Sequence, residues 1–338
     1  MTLSLYVLDQ SPAVEGSPQD VAIRQSVEMA RHCEALGYER YWVSEHHGSE
    51  SIVGSAPEIL VAAIAVQTTR IRVGSAGIML PHYAPLKVAE QFRVLEALAP
   101  GRIDLGLGRA PGGDGFTAYA LNPQSDEAVQ HFPAHMRDII AWTSGKPLVE
   151  GHGLARIVVT PQTPSAPEVF VLGSSTYGAQ VGAYLGIPYS YAAFFADQPP
   201  DQPLEIYRRY YQPSERHPAP QPSVCLFVIA ADTTQEAHLQ FATRALSRFN
   251  RDQGIRKPMV EPKAALDEIA ARGLTARYEK MAQDAIIGTG DEVRAKLEDY
   301  ARRYDLGQIA LTTHTFDLTA RKRSFELIAQ AFGLKAAA

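Results

Sequence analysis

The chain of 338 residues carries 32 Lys and Arg against 37 Asp and Glu, a net charge of −5, with 46% hydrophobic and 20% charged residues. This mildly acidic balance offers no basic footprint for nucleic acid or an anionic membrane, and the length fits one large α/β barrel with insertions or two medium domains. Only Cys33 and Cys225 are present, which supports neither a disulfide framework nor a Cys-rich metal cluster.

The first predicted strand is Leu3–Leu8. A helix follows, with Ser17 as its expected N-cap and Pro18 at its first position. Its inward stripe is Ser26, Met29, Ala30, Cys33 and Leu36, and Gly37 ends it. Further strands are read at Tyr41–Glu45, Ile71–Ile78, Ile103–Gly108, Val169–Gly173, Tyr189–Phe194, Val224–Ala231 and Gln308–Thr312. Helical patterns lie between most of them, at Pro57–Thr68, Pro85–Leu98, Asp126–Ser144, Tyr177–Leu185, Leu204–Tyr211, Thr234–Asn250 and Asp291–Tyr304, with Thr319–Phe332 last. The longest apolar run, Ile59 to Val66, is too short to span a bilayer. No Lys or Arg precedes Arg24, so the charged start of a secretory signal is missing and a cytoplasmic protein is expected.

Eight strands, each followed by a helix, point to a (β/α)₈ TIM barrel. An open doubly wound sheet would place a glycine-rich loop after its first strand, where this chain has Asp9-Gln10-Ser11-Pro12. A barrel takes about 250 residues, so several tens remain. The expected surplus is an insertion at residues 251–287, between strand 7 and its following helix, within a single domain spanning 1–338. That helix begins at Thr289-Gly290-Asp291-Glu292, which has the spacing of a capping box. Pro161–Pro167 reads as a rigid connector, because the βα rhythm resumes directly after it.

In such barrels the chemistry collects where the strands end. Strand 2 ends in Ser44-Glu45-His46-His47, and in an extended chain the two histidines face opposite ways. One of them at the mouth suits proton transfer, and a structural histidine bonded to Glu45 is the alternative. Ala76 and Gly77 leave room in strand 3 for a flat ring or a close backbone approach, or simply fill a tight barrel layer. Ser174, Ser175, Thr176, Tyr177 and Gly178 open the helix after strand 5, where backbone amides and the dipole favour an anion. Arg109 at the end of strand 4 could add a charge-assisted contact. The alternative is that Ser174–Thr176 only cap the helix and Arg109 pairs with a carboxylate. Gly106-x-Gly108-x-x-Pro111 lacks the third glycine of a dinucleotide loop, and no Walker A loop or nucleophile elbow is present.

Taken together, Tyr41–His47 (YWVSEHH), Arg72–Pro81 (RVGSAGIMLP), Pro85–Gln91 (PLKVAEQ), Gly101–Arg109 (GRIDLGLGR) and Ile287–Val293 (IGTGDEV) resemble the bacterial luciferase-like, flavin-dependent monooxygenases. The resemblance implies a TIM barrel with an insertion after strand 7 and FMN as cofactor, or the deazaflavin F420 in some branches. It implies that the ring lies against a bulged strand 3, where Ala76–Gly77 matches a non-prolyl cis peptide. The phosphate would be held by Ser174–Gly178 and Arg109. His46 would stand near the reactive face and assist proton handling around a C4a-(hydro)peroxyflavin formed from reduced FMN and O₂. The implied partners are a small organic substrate, O₂, a separate NAD(P)H:flavin reductase and a second copy of the chain, with Ile59–Ala65 as a candidate homodimer surface.

The light-emitting branch has an acidic residue where this chain has Ser174 and a bulky aromatic where it has Ala193, so neither light emission nor a long-chain aldehyde substrate is expected. Two rival readings remain open. One is a metal-dependent hydrolase built on His46 and His47 with ligands such as His314. The other is a flavin-binding relative without catalysis.

Overall fold

The computed structural model describes residues 3–196 and 198–335. The strands are β1 (Ser4–Asp9), β2 (Arg40–Val43), β3 (Arg72–Met79), β4 (Ile103–Gly108), β5 (Glu168–Gly173), β6 (Tyr189–Ala192), β7 (Pro222–Ala230), β8 (Ile286–Gly288) and β9 (Gln308–Thr312). The helices are α1 (Gln19–Leu36), α2 (Pro57–Ala65), α3 (Pro85–Leu98), α4 (Gly115–Leu121), α5 (Ser125–Gln130), α6 (Phe132–Ser144) and α7 (Thr176–Leu185). After these come α8 (Asp201–Arg209), α9 (Thr234–Asp252), α10 (Pro262–Ala271), α11 (Thr275–Asp284), α12 (Gly290–Tyr304) and α13 (Leu318–Phe332). The alternation is that of a (β/α)₈ TIM barrel, with the short β8 as a ninth strand.

The chain clusters into two compact units. One comprises Arg40–Gly48 and Ser55–Val224. In it β2 to β6 pair in sequence, each parallel to the next. These strands are short apolar runs buried on both sides, the pattern of a parallel sheet covered by helices. Trp42 and Phe170 meet edge to face at 5.0 Å in its core. At the amino ends of the strands the fully buried Asp104 collects donors. Arg40 Nη1 reaches both its oxygens at 2.8 Å, Arg72 Nη2 lies at 2.6 Å and Trp42 Nε1 at 2.8 Å. A carboxylate can be buried there because these donors, with Arg72 Nε at 2.9 Å, replace its water.

The other unit comprises Met1–Glu39, Ser49–Gly54 and Cys225–Ala338. Within it β1 runs parallel to β9, and β7 parallel to β8. Phe241, Leu246 and Phe249 of α9 form a core with Ile269 of α10 and Ile287 of β8. The buried pair Asp9–Arg321, at 2.6 Å, ties β1 to α13.

Several boundaries differ from the sequence expectation for identifiable reasons. Ser17 does not cap the first helix; Pro18 occupies the N-cap with no side-chain bond, and Gly37 ends the helix with φ 90°. The stretch read as one helix over Asp126–Ser144 is α5 and α6, broken at His131. Pro133, in the first turn of α6, has no N–H to continue the ladder. The expected surplus at residues 251–287 lies before α12, the helix that opens at Thr289. α9 starts directly after β7, and the surplus follows it as α10, α11 and β8. The capping box at Thr289 and Glu292 forms with both reciprocal bonds.

Candidate active site

His46, Ala76, Gly77, Arg109 and Ser174–Gly178 all lie in the unit of Arg40–Gly48 and Ser55–Val224, whereas His314 lies in the other. β2 stops at Val43, so Ser44–His47 form the segment immediately beyond its end. Glu45 is completely buried. Its Oε1 accepts from His47 Nε2 at 2.7 Å and from the Tyr83 hydroxyl at 2.9 Å, and its Oε2 accepts from the Met79 amide at 2.9 Å. Three donors compensate the lost hydration of the carboxylate and fasten the end of β3 to the end of β2. Burial, and then the adjacent Glu45 carboxylate, push the Tyr83 hydroxyl well above its ordinary pKa, so it acts as a donor. Burial likewise raises the Glu58 carboxyl, with Glu45 adding to the effect.

The two histidines therefore have different surroundings. His47 is the one bound to Glu45, and its own amide donates to Gly112 O at 3.0 Å. His46, half-buried, has its Nδ1 3.1 Å from Ser44 Oγ. The loop after β4 is held from a second point as well, by His82 Nε2 at 2.7 Å from Pro111 O. Among the described residues, no group of three or more His, Cys, Asp or Glu is placed to hold a metal ion.

The β3–β4 register slips between Ala76 and Ile78, and the Ala76–Gly77 peptide is cis. A Cβ at Gly77 would lie 2.7 Å from Gly106 O and 2.7 Å from Leu172 Cδ1. A Cβ at Gly106 would in turn lie 2.3 Å from Ser75 O. A close backbone approach, one of the readings open from sequence, is present at Gly77: glycine lets β3 and β4 touch at the bulge.

The segment Ser174–Gly178 joins β5 to α7. Ser175 is the N-cap in extended conformation, φ −136° and ψ 167°, and its side chain makes no capping hydrogen bond among the described residues. The capping role proposed for these hydroxyls is not the one they take. The first amides of a helix have no partner inside it, so this terminus keeps its capacity for an acceptor. Gly178 sits against Tyr189, where a Cβ would come within 3.3 Å of the ring. Arg109, exposed at the end of β4, places its guanidinium 4.0 Å from the centre of the Tyr177 ring in that first turn. Among the described residues no carboxylate pairs with Arg109.

Sequence reading brought Arg109 and the first turn of α7 to the same rim, and the fold joins them. It missed Tyr83 and His82. The only signal for these two was their position directly after strand 3, and hydrogen bonding across 38 and 29 residues leaves no periodic trace. It also missed α4, which exposes Phe116 and Tyr119 beside the site. Its seven residues, opened by Gly113-Asp114-Gly115, are too few to show a helical period.

The luciferase-like monooxygenase family profile matches residues 1–305. The chain belongs to that family. The luciferase-like monooxygenase of Escherichia coli (strain K12) is 34% identical over 326 residues, covering 96% of each chain. The N-acetyl-S-alkylcysteine monooxygenase of Bacillus subtilis (strain 168) is 33% identical, covering 97% of this chain and 98% of the relative. Apo-MsnO8 superposes with a TM-score of 0.87 at 34% identity, over 98% of both chains. The fold is also shared with an FMN complex of a type II Baeyer-Villiger monooxygenase (TM-score 0.70, 17% identity) and with an F420-dependent secondary alcohol dehydrogenase (TM-score 0.68, 15% identity). Among the described residues, no helix is long and apolar enough to cross a membrane.

Proposed function

We propose that the protein binds reduced FMN and uses O₂ to oxygenate a small organic substrate. The observation that carries this reading is Arg109 lying over Tyr177 at the uncapped first turn of α7. A terminal phosphate suits that place, since it would meet unpartnered amides, the positive end of the helix dipole, the hydroxyls of Ser174, Ser175 and Thr176, and one guanidinium. Ala76 and Gly77, at the bulge, would lie along the ring.

Reduced FMN, when bound, supplies the electrons for oxygen activation; the protein supplies position, dryness and proton control. Arg109 and Ser174–Gly178 anchor the phosphate. Glu45, through His47, Tyr83 and the Met79 amide, holds the strand ends rigid around the site. His46 holds and passes a proton at the reacting centre. F420 is the second reading, because the same terminus would accept its phosphate, and the structural neighbours include an F420-dependent enzyme. The Glu45-His46-His47 run favours FMN.

Electrons would come from a separate NAD(P)H:flavin reductase, and the active form would be a homodimer. The dimer reading is supported by an open groove of about 530 Å³ between α2 and α3, lined by Ile59, Ala62, Val94 and Leu98. Of the stretch Ile59–Ala65, residues Leu60, Val61, Ile64 and Ala65 turn inward, so Ile59 and Ala62 with the α3 residues would make the contact.

Anaerobic titration with reduced FMN, reduced riboflavin and reduced F420 tests the cofactor. FMN should bind far more tightly than riboflavin, which has the same ring and no phosphate. Equal affinities for the two would remove the phosphate site and with it this reading.

A further inference from the structure

We infer that His82 is a positioning residue for Arg109, holding by one hydrogen bond the loop that presents the guanidinium at the first turn of α7. The inference rests on a flavin phosphate binding at that turn. His82 is 7% exposed and ends the 3₁₀ turn Leu80–His82, directly after β3. Its Nε2 lies 2.7 Å from Pro111 O. A carbonyl oxygen only accepts, so Nε2 is the donor. Nδ1 has no hydrogen-bond partner among the described residues, which leaves Pro111 as the one hydrogen-bonded attachment of the ring.

β4 ends at Gly108 and α4 begins at Gly115. Between them Arg109, Ala110 and Pro111 are exposed, and Gly112 takes φ 61°. The His47 amide holds this loop at Gly112 O, 3.0 Å away. The bond from His82 is the one made by a side chain, and it acts one residue nearer to Arg109. The two histidine rings also meet edge to face at 5.8 Å, and His47 is bound to Glu45. Through them the loop after β4 is tied to the Glu45 junction.

An arginine on a free loop gives up backbone and side-chain freedom when it grips a ligand, so a loop fixed beforehand binds more tightly. Arg109 has its guanidinium 4.0 Å from the centre of the Tyr177 ring. Pro111 is only two residues further along the chain. Releasing its carbonyl frees the backbone of Arg109 and lets the guanidinium drift from Tyr177.

The test is anaerobic binding of reduced FMN and reduced riboflavin to the full chain, well below the melting temperature. The ratio of the two affinities reads the grip on phosphate and cancels any effect on the ring. His82→Leu should lower the FMN to riboflavin ratio about three- to tenfold, the worth of one neutral hydrogen bond. His82→Gln, whose amide nitrogen can stand near the place of Nε2 and donate, should restore it. In an Arg109→Ala background His82→Leu should change the ratio no further, because His82 acts through that arginine. An unchanged ratio in His82→Leu, no recovery in His82→Gln, or additive losses in the double variant overturns the inference. Equal affinities in the wild type would sink the phosphate reading and this inference together. A wild type that discriminates, with His82→Leu discriminating as well, would sink the inference alone.

Discussion

Glu45 Oε1 and His47 Nε2 are 2.7 Å apart, and this bond decides which of two neighbouring histidines is structural. Because the same carboxylate also takes the Tyr83 hydroxyl and the Met79 amide, it is a junction of three chain segments. Replacement by alanine leaves three buried donors without an acceptor.

Glu45→Ala should therefore lower unfolding free energy by about 2–4 kcal/mol, measured by urea titration. Tyr83→Phe removes a single donor and should cost about 1 kcal/mol. A Glu45→Ala protein as stable as the wild type would show that the junction contributes nothing.

Arg109 is exposed and makes no ion pair among the described residues, so its loss should hardly affect folding. Arg109→Ala should weaken reduced FMN binding roughly 10- to 100-fold, the worth of one charge-assisted hydrogen bond, and leave riboflavin binding unaltered. The melting temperature is the control for a folding effect.

At the opposite end of the strands, the buried Asp104 joins β2, β3 and β4. Asp104→Ala removes the shared acceptor of Arg40, Arg72 and the Trp42 indole N–H, and should cost about 3–5 kcal/mol. Reduced FMN affinity, measured well below the melting temperature, should be preserved.

Glu168 provides a pH signature. Burial opposes its ionisation, but the hydrogen bond from His217 and the charge of Arg216 outweigh that and hold its carboxyl below the ordinary value. A depressed folded-state pKa means stability present above the unfolded value of about 4.3 and lost as pH falls through the folded value. The melting temperatures of wild type and Glu168→Gln should differ near neutrality and converge in acid. A gap that persists unchanged at the acid end would refute this assignment.

The groove between α2 and α3 exposes Ile59 at 68%, Leu98 at 53% and Val94 at 47%. Leu98→Asp should convert a dimer into a monomer in sedimentation velocity runs, with the helix content unchanged. A wild-type chain that sediments as a monomer removes the dimer from the proposal.

The order of strands and helices was legible in the residues because burial imposes local periods of two and 3.6, and those periods do not depend on what lies across the fold. Ile103–Gly108 and Gln308–Thr312 were bounded correctly for this reason, and the Thr289–Glu292 cap because its partners are three residues apart. Local composition likewise marked Arg109 and Ser174–Gly178 as rim residues. What distinguishes His46 from His47 has no such local signature. That choice depends on Tyr83 and Met79, which reach Glu45 from 38 and 34 residues away, and on whether a given oxygen has lone pairs to spare. Hydrogen-bond satisfaction in a buried site is settled only when distant segments are brought within 3 Å of one another, so it belongs to the tertiary structure.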